Sequence, residues 1–346
     1  MKSEIKLKKD LISVVMCNYN TPVKYLKESI DSVLNQTYSN FEFIIIDDGS
    51  TDDSLEFIKS YNDDRIKLFV NSENIGLAKS LNKGFEMARG EYIARMDSDD
   101  ICYLERFEKQ IDYMKNHPDT IVCGTWAKII DENNTMRIED WARMSIDDME
   151  SYRINLLLYN YPAIVHTSAF FNHHLILKYN IKYNEEYKFS QDYELWTRCS
   201  KICKCYILQN TLVLYRVHST SISQSKRSLQ KEYAFRIIQN QLDYLHLTLP
   251  KDIREEHIQL PRAIVSYDKR IKKWIKEIIN ANAKYKIYNQ KKLKKLLWYY
   301  WSIACYAELS NSSLLKRIYI LMSLSLRCKI NLFKIKKYYV NKYSQK

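Results

Sequence analysis

Residues 41–54 read FEFIIIDDGSTDDS, and the two halves of this stretch ask for different structures. The first six residues form a nearly unbroken apolar run, which suits a strand buried on both faces. The apolarity then stops at once. Asp47, Asp48, Gly49 and Ser50 make a turn signal, and the following SLEFIKSY (54–61) has helical spacing. A fully buried strand that hands directly into a helix is the repeating unit of a parallel sheet.

The same alternation continues on both sides. Upstream, LISVVMC (11–17) is strand-like and VKYLKESIDSVLNQ (23–36) is helical. Downstream, the strands RIKLFV (65–70), EYIARMD (91–97) and TIVCGTWAKII (120–130) alternate with the helices LAKSLNKGFEMA (77–88) and LERFEKQIDYMKNH (104–117). The expected fold class is α/β, a doubly wound and mostly parallel sheet covered on both faces. Ligands of such sheets bind beyond the carboxyl ends of the strands. NYNT, DDGSTDD and DSDD stand at three of those ends, so the polar chemistry collects at one edge. Residues 131–220 read as α+β, with a helix near 147–158, a strand near 166–171, a helix over 193–201 and a strand over 206–217. From about residue 223 the chain reads as helical to its end.

The bulk properties bound what this fold can do. The 346 residues are 46% apolar and 27% charged, the balance of a folded chain with a sizeable core. The formal net charge of +13 is unevenly spread. Residues 251–346 hold 23 Lys and Arg against 6 Asp and Glu, a net of +17, which leaves the first 250 residues at −4. The basic tail mixes Lys with Trp, Tyr and Ile at helical intervals, as in KRIKKWIKEIINANAKYKIYNQKKLKKLLWYYW. Two readings stay open for residues 262–346: an anionic membrane surface as partner, or a helical bundle with a lysine-rich solvated face. No nucleic-acid recognition fold is visible, so nucleic acid is not expected as a partner, although a tail-bound polyanion would betray itself by steep salt dependence. None of the eight cysteines forms a CxxC pair, and Cys199, Cys203 and Cys205 have no second cluster to complete a zinc site. With no secretory signal and no run of 18 apolar residues, the expectation is reduced thiols in a cytoplasmic protein, peripheral at the membrane at most.

Within ARMDSDD (94–100), Asp97 and Asp99 stand two residues apart after a buried strand. In extended chain such residues face the same way, so both can meet one ligand. Paired carboxylates suit Mg²⁺ or Mn²⁺ held jointly with substrate phosphates. The plainer reading is a solvated acidic turn capping the helix that begins near Tyr103.

The run ISVVMCNYN…SIDSVLNQTYSNFEFIIIDDGSTDDS…NIGLAKSLNKGFEMARGEYIARMDSDDI resembles the family 2 glycosyltransferases, as do VHTSAFFN, SQDYELWTR and LYRVHSTSIS after it. The blocks keep the family's order and cover about Ile12 to Ser223. The resemblance implies a GT-A catalytic domain over 1–222, with a nucleotide-binding half near 11–130 and an acceptor half near 131–222, followed by a basic helical extension over 223–346. It implies that Asp48 accepts a hydrogen bond from the nucleotide base, that Asn18 lies beside that base, and that Lys79 lies near the diphosphate. Asp97 would approach ribose and metal, Asp99 would be the principal ligand of Mn²⁺ or Mg²⁺, and His218 would complete the metal site. Asp192 would be the catalytic base, with Gln191 standing where the family usually has a second carboxylate. His166 matches a recurrent family position without an assigned role. The implied activity is inverting transfer of a hexose or N-acetylhexosamine from a nucleotide donor, UDP-linked by family frequency. The acceptor would be a saccharide or lipid-linked saccharide, such as a growing lipopolysaccharide or capsule chain. Against it stand a relative that binds nucleotide sugars without turning them over and, more remotely, a nucleic-acid binder acting through the tail.

Overall fold

The computed structural model describes residues 6–137, 145–159, 164–218, 226–262 and 268–311, with backbone alone at 262 and 306–311. The chain divides into two compact units, residues 1–146 with 162–233 and residues 147–161 with 234–346. The expected boundary at 222/223 and the basic stretch after 311 lie outside the described residues.

The first unit is built on one nine-stranded sheet. Its strands are β1 (Lys8–Asn18), β2 (Phe41–Asp47), β3 (Ile66–Val70), β4 (Gly90–Asp97), β5 (Ile101–Cys102), β6 (Thr120–Ile130), β7 (Met136–Arg137), β8 (Phe170–Asn172) and β9 (Lys204–Arg216). The order is β3-β2-β1-β4-β8-β6-β9-β5, with β7 paired to β6. Strands β1 to β4 run parallel, and every residue of β2 is buried, which is why FEFIIID carries no polar alternation. Helices α1 (Val23–Leu34), α2 (Ser54–Lys59), α3 (Leu77–Met87) and α4 (Arg106–Asn116) connect them. Leu26, Ile30 and Val33 of α1 and Phe107, Ile111 and Met114 of α4 bury their i, i+3, i+4 stripes in one core with Val14, Phe43 and Met96.

Two departures from the expected pattern position the site. Strand β8 is antiparallel and wedges between β4 and β6, pairing with β4 only over residues 92–94. The strand expected near 166–171 is shorter, Phe170–Asn172, and a 3₁₀ turn, His166–Ser168, precedes it. Thr167 takes over the pairing, accepting the Asp97 backbone N–H at 3.0 Å. Strand β5 also escaped sequence reading; two residues carry no periodicity, and only its antiparallel pairing with β9 defines it. Helices α6 (His173–Lys178) and α7 (Gln191–Ile202) complete the unit's described elements; α5 (Met149–Leu157) and most of α8 (Arg227–Asp243) belong to the second unit.

The second unit is helical: α5, most of α8, α9 (Arg254–Gln259), α10 (Lys269–Tyr285) and α11 (Gln290–Asn311). Ile271, Trp274, Ile275, Ile278 and Ile279 bury one face of α10, and Leu293, Leu297 and Trp301 bury one face of α11. Lys269, Lys273, Lys276 and Lys284 recur on the outward face of α10, and Lys291, Lys295 and Tyr299 on that of α11. Asn282 closes the connection, donating to the Tyr288 carbonyl at 2.9 Å and accepting its N–H at 2.8 Å. Among the described residues no helix is long and apolar enough to cross a membrane.

Candidate active site

The chain lays β2 and β3 on one side of β1, then returns to place β4 on the other side. That reversal opens a crevice at the carboxyl ends of β1 and β4, where connecting loops diverge instead of covering the edge. Cys17 of β1 stands in register with Asp97 of β4, so Asn18 and the DSDD turn emerge side by side.

The β1–β2 side of the crevice is rigid. The buried Asn18 amide donates to Asp47 Oδ1 at 2.8 Å, Ser54 Oγ at 2.9 Å and Ser50 Oγ at 3.0 Å, tying β1 to the turn after β2. Its Oδ1 is buried without a hydrogen-bond partner. Asp48 is equally engaged. Its oxygens accept from Asn71 Nδ2 (2.7 Å), Ser80 Oγ (2.9 Å), Ile75 N (3.0 Å) and Gly76 N (2.9 Å). Four donors on one carboxylate make Asp48 the anchor of the 71–76 loop and the start of α3. Gly49, at φ +74°, lets the turn pass against the Glu73 backbone, where a Cβ would come within 2.6 Å of its carbonyl carbon. Lys79 is exposed on α3, whereas Lys83, one turn on, reaches the Asn71 side-chain oxygen at 2.7 Å.

The other side holds the acidic turn. A cavity of about 170 Å³ is lined by Arg95, Asp97, Asp99, His166, Phe189 and Asp192, among others. Asp99 Oδ2 lies 3.0 Å from His218 Nε2, so two residues 119 apart in sequence meet at the end of β9. Asp97 pairs instead with the guanidinium of Arg95, which is 1% exposed. Burial works against the Arg95 charge, but Asp97 more than offsets it, and the group stays cationic. Burial also drives Asp100 well above the usual carboxylate range, and the charges of Asp99 and Asp97 add to the effect against the Arg216 N–H. His166 donates or accepts at 2.9 Å with the Tyr183 hydroxyl; burial and then the Arg95 charge hold its ring well below the ordinary histidine range. A neutral His166 beside a cationic Arg95 is the consistent state.

Asp192 lies in the first turn of α7, half-buried, where the open helix N-terminus favours negative charge. Gln191 before it is buried, with its Oε1 unpaired by any hydrogen bond. The structure thus brings Asp97, Asp99 and Asp192 to one cavity, with His218 on Asp99, while Asn18, Asp48 and Lys79 are not among the residues that line it.

Two arginines escaped sequence reading. Arg95 lies inside the apolar run EYIARM, and a charge in a buried strand is itself a sign of a partner nearby. Arg216 is 1% exposed and stands two residues before His218; its backbone N–H donates to Asp100 Oδ1 at 2.7 Å and its Nε to the Asp99 carbonyl at 2.8 Å.

As a metal site the donor set is sparse. Among the described residues no three His, Cys, Asp or Glu side chains converge as a cage. One carboxylate and one imidazole nitrogen are instead what a Mg²⁺ or Mn²⁺ takes when phosphate oxygens and water fill the rest of its shell. The residues fit a cation shared with a diphosphate, with Asp99 and His218 as the protein's contribution and Asp97 partly withdrawn by Arg95.

The family model for glycosyl transferase family 2 matches residues 13–179. A glycosyltransferase of Methanocaldococcus jannaschii is 37% identical over 235 residues, 66% of this chain and 79% of its own. One of Haemophilus influenzae is 31% identical over 255 residues, 70% of this chain and 77% of its own. Among solved structures, S. aureus TarS 1–349 in complex with UDP-GlcNAc superimposes with a TM-score of 0.55 at 18% identity, over 87% of this chain and 91% of that one. The same protein in complex with UDP gives 0.53 at 19% identity, over 87% and 90%. The fold is GT-A.

Proposed function

Because the chain belongs to glycosyl transferase family 2 and is a glycosyltransferase, we propose that it transfers a sugar, with inversion, from a UDP-linked donor to a hydroxyl of a growing glycan or lipid-linked saccharide. One observation carries this reading: Asp97, Asp99 and Asp192 line a single cavity at the switch point of the sheet, with His218 held against Asp99. The UDP and UDP-GlcNAc bound to TarS support the choice of donor.

Each residue then has a task. Asp99 and His218 would hold a divalent Mn²⁺ or Mg²⁺, which supplies charge neutralisation of the leaving diphosphate. Asp97, with Arg95 behind it, accepts hydrogen bonds from donor hydroxyls. Asp48 and Asn18 hold the wall against which the base lies, and the unpaired Asn18 Oδ1 is an acceptor in reserve there. Lys79, exposed near the start of α3, meets the donor's phosphates only if the side chain swings toward the crevice. Asp192 takes the proton from the acceptor hydroxyl as its oxygen attacks the anomeric carbon from the face opposite the leaving group. The C–O bond to the diphosphate breaks as the new glycosidic bond forms, so an α-linked donor gives a β-glycoside and no covalent enzyme intermediate is needed.

The lysine stripes of α10 and α11 support attachment of the basic segment 262–346 to an anionic membrane surface, where a lipid-linked acceptor would be met. That arrangement fits an enzyme at the cytoplasmic face of the membrane, with the catalytic unit over 1–222 and the helical extension after it.

The test is a thermal-shift series with UDP, GDP, CDP and dTDP, each with and without Mn²⁺. Stabilisation by UDP that needs metal and is lost in Asp99→Ala is the expected result. Equal shifts with all four nucleotides, or none, would remove the donor assignment.

A further inference from the structure

We infer that Glu28 and Arg216 form a positioning relay that sets the geometry of Asp99 and His218, so that a helix α1 residue governs cation affinity without touching the cation. The inference rests on the reading of Asp99 and His218 as the metal pair.

Arg216 is the last residue of β9 and almost wholly buried. Every part of it is used. The backbone N–H holds the Asp100 carboxyl, Nε holds the Asp99 carbonyl at 2.8 Å, and Nη1 reaches Asn134 Oδ1 and the Asp131 carbonyl. Nη2 pairs with Glu28 Oε2. The guanidinium carbon sits 4.4 Å from the centre of the Tyr25 ring, and that ring packs at 5.5 Å against His218. One side chain therefore spans from the turn that carries Asp99 to the strand end that carries His218.

A guanidinium is a rigid planar fork, so its far contacts orient its near ones. Among the described residues Glu28 is the carboxylate that pairs with its guanidinium, and a buried cation that loses such a partner has a strong incentive to move. Movement would free the Asp99 carbonyl and let the 99–218 pair relax. Metal ligands tolerate displacements of only a few tenths of an ångström, and partners one bond removed from the ligands commonly change affinity by about 10–100-fold. Glu28 lies one step further out, so a change near the lower end is expected. Its side chain is 27% exposed on α1, which makes it replaceable without opening the core.

The experiment uses the full chain with saturating UDP and titrated MnCl₂, free Mn²⁺ being read by electron paramagnetic resonance. Glu28→Ala should raise the Mn²⁺ midpoint about tenfold. Glu28→Gln, which keeps an acceptor oxygen but no charge, should fall between it and the unaltered chain. Melting without ligand should drop by several degrees, because Arg216 stays buried without its carboxylate, and metal-free UDP affinity should not change. Arg216→Lys, which keeps the charge and loses the fork, should behave like Glu28→Ala. An unchanged midpoint in Glu28→Ala, or a midpoint shift matched by equal loss of metal-free UDP binding, would overturn the relay. An unaltered chain indifferent to Mn²⁺ would overturn the metal reading itself and the relay with it.

Discussion

His257, in the helical unit, should make stability fall as the solution is acidified from neutrality to about pH 4. Its ring is 1% exposed. Nε2 lies 2.9 Å from the Leu157 carbonyl and must carry a proton to donate to it; Nδ1 accepts the Trp274 indole N–H at 3.0 Å. Both nitrogens are thus committed in the neutral ring, and adding a proton to Nδ1 would set two N–H groups against each other. Burial pushes the group down to about 4, against the opposing pull of the Leu157 carbonyl. In the unfolded chain the same ring titrates near 6.5. Between the two values the unfolded chain takes up a proton that the folded one refuses, so stability is fully kept above about 6.5 and lost as pH falls toward 4. At about 1.36 kcal/mol per pH unit the gap amounts to roughly 3 kcal/mol. His257→Gln provides the control, since its amide can donate to Leu157 and accept from Trp274 without titrating. Urea unfolding followed by tryptophan fluorescence at pH 7, 6, 5 and 4 should show the unaltered chain losing about 3 kcal/mol more than the variant over that range. Parallel pH profiles for the two would refute the assigned tautomer and the burial argument together.

Three further expectations concern the catalytic unit. Asp192→Asn should lower transfer about 10²–10⁴-fold while UDP-induced stabilisation persists, measured by product formation from a UDP-sugar; retained turnover would sink the base assignment. Asp48→Asn puts an amide where four donors converge and should cost about 2–3 kcal/mol of stability without any nucleotide present, measured by urea unfolding. If Asp48 served only to contact a base, nucleotide-free stability would not change. Gly49→Ala should cost more than Gly76→Ala: both have positive φ, worth about 1–2 kcal/mol, but only at Gly49 would the new Cβ strike backbone. Equal melting temperatures for the two variants would contradict the close approach to Glu73.

Much of the catalytic unit was legible in one dimension because its signals are local. A strand buried on both faces must be apolar at every position, as FEFIIID is, and a covering helix must bury a 3.6-residue stripe, as Leu26, Ile30 and Val33 do. The alternation of the two periods is enough for a doubly wound sheet, and the acidic residues at its strand ends mark the edge where the crevice opens. The short β5 and β7 were not legible in this way, because two residues cannot express a period and exist only through their partners, whereas β8 was legible only as a longer strand near 166–171.

Which side chains work together is a different matter. Sequence spacing makes Asp97 and Asp99 look equivalent, yet Asp97 is bound to Arg95 while Asp99 meets His218 across 119 residues. The DDGS motif marks Asp48 as polar and placed at a strand end, but only the folded chain turns four donors from residues 71–80 onto it. Arg216 carries no motif weight of its own until burial leaves it no solvent and the Glu28 and Asp100 carboxylates surround it. The physical reason is common to all three cases. Periodicity records whether a residue faces water or core, a property of each position by itself. Hydrogen bonds and ion pairs depend on distances between positions that the sheet order, and not the chain order, brings within 3 Å.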